Sequence, residues 1–361
     1  MQPVPTMSQR NKFGGREKEM SKTKKGKLNA VMEKYSIFLI LIIMIVICTV
    51  LNKNFLSSGN IINVARQLAV STILAYGEMI LIIAGMLDLS TGSVLALSGV
   101  LSVSYYKNHM VAEGSNAGTM LVAFLIAIVI AVICNLLNAL MVTNFKTPPF
   151  IATLAMQMVA RGLALYYTQG QNVLQIGNYT YLGQGSIGGI PIPIIFLIVI
   201  SIIIWYIMRH TRFGRSLYAI GGNEDASIAS GINVARSKYI AFIINGILVG
   251  IAGVLFMSRV NAGLPNGAVG YEMEGLTAAI VGGTSFSGGV GTTLGTLAGS
   301  FIIGCLNNIM QLKSVDSYIQ QVVKGVIIAV AVIWDIRSKG KKTTKVILVE
   351  EKKDEAKAET K

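Results

Sequence analysis

Apolar runs long enough to cross, or partly cross, a hydrocarbon core of about 30 Å at about 1.5 Å per residue recur along the chain. About ten can be traced, near residues 35–51, 61–84, 89–106, 118–143, 150–168, 192–208, 239–257, 272–285, 292–312 and 317–334. The run at 272–285 is short, which leaves eight as the other even count. The pattern predicts an all-α fold, a polytopic transmembrane helical bundle occupying residues 35–334, between a tail at 1–34 and another at 335–361.

Two stretches interrupt the apolar pattern. IIAGMLDLSTGSVLALSG (82–99) places Asp88 in apolar surroundings between Gly85 and Gly92. A lone carboxylate at membrane depth costs roughly 2.5–3.5 kcal/mol, so it needs a partner or a purpose. VGGTSFSGGVGTTLGTLAG (281–299) is dense in Gly, Ser and Thr. Such a run suits an interrupted helix lining a cavity, or tight small-residue packing without a ligand. Further polar groups within apolar spans are Gln67, Asn135, Asn138, Gln157, Arg161, Glu272, Asn307, Asn308 and Lys324. Asp88, Gln157, Arg161, Glu272, Asn307 and Asn308 are the candidates for a translocation path, with interhelical hydrogen bonding as the competing role for the amides.

Composition agrees with lipid as the main solvent, since 361 residues that are 53% hydrophobic and 13% charged exceed what one water-soluble core can cover. The net charge of +14 is concentrated at the ends. Residues 1–34 hold nine Lys/Arg against three Asp/Glu, and residues 335–361 hold nine against six. Basic flanks of this kind stay on the cytoplasmic side, which places both tails inside. Neither tail interleaves aromatic residues, which argues against nucleic-acid binding. Cys48, Cys134 and Cys305 fall within apolar runs without metal-ligand spacing, and His109 and His210 read as solitary loop residues. Nothing here supplies a catalytic residue or a metal site, so an enzyme with its own active site is not expected. The uncharged stretch 169–191 falls outside, as an ordinary external loop or a docking surface.

The basic loop 209–238 falls inside and contains a short helix. Asn223 is a good N-cap, Glu224 and Asp225 suit the positive end of a helix, and Gly231 supplies a left-handed stop. The segment is too polar for lipid and too small for a core. It is shaped to enter a groove on a partner, or else to pack on this protein's own inner surface.

Four blocks carry a resemblance over about residues 35–335: GMLDLSTGSVLALSG (85–99), TPPFIATLAMQMVARGLAL (147–165), TRFGRSLYAIGGNEDASIASGINV (211–234) and GYEMEGLTAAIVGGTSFSGGVGTTLGTLAG (270–299). They resemble the permeases of ribose-, xylose- and galactose-type bacterial ATP-binding-cassette importers. The resemblance implies a multi-pass protein of the bacterial cell membrane that translocates a monosaccharide, ribose first, delivered by an external sugar-binding protein. It also implies a second permease copy and a separate ATPase subunit that binds ATP and magnesium. The helix at 223–231 would be the ATPase-coupling element, with Arg212, Gly214, Arg215, Gly222, Asn223, Glu224, Asp225, Ala226, Gly231 and Ile232 as its site residues. Asp225 stands where the family usually has alanine. The chain has no G-x-x-x-x-G-K-[ST] loop, so hydrolysis is expected of the partner and no cofactor of this chain. A nucleoside or branched-chain amino-acid permease of the same superfamily, and an ion-coupled secondary transporter, are the competing readings.

Overall fold

The computed structural model describes residues 37–110, 116–333 and 335–337. All ten apolar stretches are helical: α1 (Ile37–Leu51), α2 (Ser58–Ile83), α3 (Thr91–His109), α4 (Ala117–Thr143), α5 (Pro149–Thr168), α7 (Ile192–His210), α10 (Val234–Val260), α11 (Tyr271–Val281), α12 (Thr293–Leu312) and α13 (Ser317–Arg337). Three short helices join them: α6 (Tyr181–Gln184), α8 (Arg212–Gly222) and α9 (Glu224–Ala229). Strand structure among the described residues is one two-residue hairpin, β1 (Ser186–Ile187) with β2 (Ile190–Pro191), and a bridge from Val173 to Gly263.

Seven of these helices, α2, α4, α5, α7, α10, α12 and α13, are long and apolar enough to cross a membrane. The chain is an integral membrane protein. At 11 residues α11 reaches only about 16 Å, half a hydrocarbon core. Gly270 enters it with φ +85° and Gly282 ends it. The short run at 272–285 is therefore a half-helix followed by the glycine-rich turn.

At the centre lie α2, α10 and α12, with α4, α5 and α7 lining the periphery. The reason is residue size. Gly246 and Gly250 of α10 lie one turn apart, and a Cβ on them would stand 2.8 Å from Val132 Cα and 2.6 Å from Ile128 Cα. Fully buried Ala127 and Ala131 face them from α4, so two backbones meet where ordinary side chains would hold them apart. On the other side, Gly282, Gly295 and Gly299 bring α11 and α12 into backbone contact.

The 169–191 stretch is not an open loop. Tyr179 is fully buried, its hydroxyl 2.8 Å from Ser102 Oγ, while its carbonyl accepts from Ser258 Oγ at 2.6 Å. His109 and His210 are the last residues of α3 and α7 rather than loop residues, and each stacks on a tyrosine one turn back.

Candidate translocation and coupling site

Helix α2 ends at Ile83 and α3 begins at Thr91, so residues 84–90 run irregularly through the bundle. Buried irregular backbone in a membrane protein must find its own hydrogen bonds. Gly85, with φ +76°, turns the chain, and Asp88, 1% exposed, organises the residues after it. Its Oδ1 accepts from the Ser90 amide at 2.8 Å and from the Ser90 hydroxyl. Its Oδ2 accepts from Asn245 Nδ2 of α10 at 2.8 Å. Asn245 also donates to Asn135 of α4 at 2.9 Å, and Asn138 donates to Ser90 Oγ at 3.0 Å. Beneath them Glu78 of α2 accepts from Thr91 Oγ1 at 2.7 Å. Asp88 thus joins the break to α4 and α10, and Asn135 and Asn138 serve as interhelical partners.

A second irregular stretch, residues 261–270, leads into α11. Arg161 of α5 donates to the carbonyls of Pro265 at 2.6 Å and Gly267 at 2.8 Å. Its partner is backbone 104 residues or more downstream, and the buried acid Asp88 is held by other groups. Gln157, one turn earlier on α5, approaches Glu272 Oε1 at 3.5 Å. The two breaks meet here, because a Cβ on Gly92 would overlap the Glu272 carboxylate and stand 2.5 Å from the Ala268 carbonyl oxygen. Three of the path candidates, Gln157, Arg161 and Glu272, therefore share one locality. Glu272 Oε2 is buried without a hydrogen-bond partner.

Asn307 and Asn308 lie elsewhere. Asn307 donates to Glu274 Oε1 at 3.1 Å, and Lys324 of α13 pairs with the same oxygen. Asn308 and Asn60 exchange amide hydrogen bonds at 2.8 and 2.9 Å. Both asparagines tie α12 to its neighbours. Glu78, Asn245 and Glu274 escaped the reading of the sequence, although each is a polar group within an apolar run, the same signal that marks Asp88. Among the described residues no group of three or more His, Cys, Asp or Glu is placed to hold a metal ion.

The basic loop folds into two helices. Thr211 caps α8 by accepting from the Gly214 amide at 3.1 Å, and Gly214, Leu217 and Ile220 face inward. This helix was not foreseen beside α9. Asn223 then caps α9, its Oδ1 accepting from the Ala226 amide at 2.9 Å, and Gly231 stops it with φ +82°. Within α9 only Ser227 is buried, and Ile228 is 56% exposed. Asp225, Ala226 and the exposed part of Glu224 face outward, with Glu224 paired to Lys238 at 2.8 Å. Gly231 is exposed and Ile232 half-buried, so the stop sits at the surface.

Behind α9, Gly221 lies on the end of α2 and on the glycine-rich turn. A Cβ there would overlap the Ile83 carbonyl oxygen and stand 2.5 Å from the Gly289 nitrogen. The Gly289 amide donates to that same carbonyl at 2.9 Å. Tyr218 of α8 donates to the Gly291 carbonyl at 2.9 Å, and burial raises the pKa of its hydroxyl, which keeps the donor protonated. Helix α8, the glycine-rich turn and the end of α2 are thus in direct backbone contact, and α9 joins them through α8.

A many-span bundle with two helix breaks meeting at depth, wired to one exposed surface helix, defines a membrane permease. Over residues 60–332 the chain matches the family described as branched-chain amino acid transport system / permease component, and it belongs to that family. It is 39% identical over 322 residues to the ribose import permease protein RbsC of Bacillus subtilis, covering 88% of this chain and 98% of that one. The ribose import permease protein RbsC of Escherichia coli K12 is 36% identical over 310 residues, 84% of this chain and 94% of its own. The D-allose transport system permease protein AlsC of the same strain is 32% identical over 305 residues, 84% of this chain and 91% of its own.

Proposed function

We propose that the chain is the membrane-spanning subunit of an ATP-binding-cassette importer for a monosaccharide, ribose first, with ATP hydrolysed by a separate subunit and sugar delivered by an external binding protein. The sugar rests on the names of the relatives, several of which are sugar permeases and the most similar of those named above a ribose permease. The observation that carries the mechanism is the wiring of α9. A six-residue helix with an exposed isoleucine has too little of its own packing to stand as a structural element, and suits a groove on the ATPase. Closure of that groove would press Gly221 against Ile83 and Gly289, and so reach both helix breaks.

The path runs beside α5. Gln157 and Arg161 are half-exposed on a helix whose Met158 is 70% and Tyr166 78% exposed. A partly exposed guanidinium at membrane depth does not face hydrocarbon, so this side borders a second copy of the permease and the passage between the two. Both tails and the 209–238 loop lie in the cytoplasm, as the basic flanks require.

Ile228→Asp tests the dock. Its side chain is exposed, so membrane abundance should hold, while recovery of the ATPase subunit on purification of the permease should fall about tenfold, equivalent to about 1.4 kcal/mol. Normal recovery together with normal uptake would remove α9 from the coupling role. A second expectation concerns energy supply: the purified chain alone shows background ATPase activity, and hydrolysis at the rate of the complex would overturn the division of labour.

A further inference from the structure

A cavity of about 850 Å³ opens between α1, the α7–α8 junction and the start of α12, and neither the coupling helix nor the α5 path uses it. Its lining is of two kinds. Arg209 and Arg215 supply positive charge and Phe38, Trp205 and Leu294 an apolar surface, with no carboxylate among the described lining residues. The first turn of α12, from Thr293, lines the same space and brings the positive end of a 20-residue helix to it. Neither arginine forms an ion pair with the described acidic residues.

The two ends of α1 have different surroundings. Cys48 and Phe55, at and beyond the end of α1, pack with Cys305 and Ile309 of α12, whereas Ile37, Phe38 and Ile40 at its start line the gap. The cavity reaches the α7–α8 junction, where the apolar run of α7 gives way to Arg209.

We infer that this cavity binds one anionic phospholipid, its phosphate between Arg209, Arg215 and the start of α12, and its chains against Phe38, Trp205 and Leu294. Charge complementarity selects the occupant. The chain's own N-terminal tail, with nine Lys/Arg against three Asp/Glu over residues 1–34, would be repelled by two arginines. A free inorganic anion would leave the apolar wall without a partner, whereas a lipid fills both halves. Each arginine should contribute roughly fivefold to the preference for an anionic over a zwitterionic headgroup.

The test uses the purified full chain in detergent, titrated with phosphatidylglycerol or phosphatidylcholine. Retained lipid is counted by native mass spectrometry, and the thermal midpoint is followed in parallel. Wild type should retain phosphatidylglycerol in severalfold excess and be stabilised by it, with excess inorganic phosphate failing to compete. Arg209→Gln with Arg215→Gln should abolish the preference, and Leu294→Trp, at an exposed position, should lower retention of both lipids by filling the gap. Arg209→Gln alone should weaken the preference partway, which keeps the test usable where the double variant is poorly recovered. Equal retention of the two lipids by wild type, an unchanged preference in the arginine variants, or displacement by inorganic phosphate would each overturn the assignment. Arg215 is also one of the coupling residues, so ATPase recovery is read on Arg209→Gln, which is not: a weakened lipid preference with normal recovery separates this site from the docking of α9.

Discussion

Gly221→Val should abolish most sugar uptake while leaving the permease in the membrane. The substitution drives a branched side chain between three backbones, those of α8, the end of α2 and the glycine-rich turn, where a single Cβ already overlaps the Ile83 carbonyl. Overpacking of this kind costs about 1–3 kcal/mol. Spent on an equilibrium between two transport states, that range is a shift of about 5–150-fold. ATPase recovery should stay normal, because α9 itself is untouched, and hydrolysis should continue without uptake. Gly222→Ala is the internal comparison: beyond its own turn of helix a Cβ there meets no described residue within 4 Å, so an uptake defect in this variant points to contact with a partner instead. Uptake by Gly221→Val at the wild-type rate would show that force does not pass through this contact.

Asp88→Leu should act on the fold rather than on coupling. It leaves the Ser90 amide and one of the two Asn245 Nδ2 hydrogens, the other still held by Asn135, buried without an acceptor, at a cost of about 1–3 kcal/mol for each stranded donor. Against a total stability of about 5–15 kcal/mol this is a large fraction, and membrane abundance should fall severalfold. Asp88→Asn should lie between. It retains one acceptor for Ser90, and Asn245 carries an unpartnered Oδ1 that rotation of its amide would present to the new donor. Wild-type abundance and uptake in Asp88→Leu would show that the break is held by packing alone.

Much of the architecture was legible because lipid imposes simple rules. Ten apolar runs became ten helices, and the short run at 272–285 proved to be a half-helix. The α9 ends were legible because each depends on a single residue, the Asn223 side chain and the positive φ of Gly231. Helix α8 was hidden because its apolar positions Leu217 and Ile220 are few and its glycines read as breakers. Arg161 could not be placed from sequence at all, since its partners are backbone carbonyls, which carry no residue signature. The close contacts of Gly221 and Gly289 were equally silent, because a glycine needed for space reads the same as one needed for a turn.

Helix α13 is anchored differently from the rest. It spans a membrane's width with almost no packing on the bundle, yet Lys324 grips Glu274 near the start of α11, and Asp335 accepts from Ser285 Oγ at 2.9 Å and the Phe286 amide at 3.1 Å beyond its end. Those two pegs lie 11 residues apart on both sides of the contact, so α13 works as a splint along the half-helix. The half-helix cannot slide along its own axis without shearing both pegs, although it can tilt as one piece with its splint. Tilting, rather than sliding, is the motion that two such pegs leave open to the half-helix.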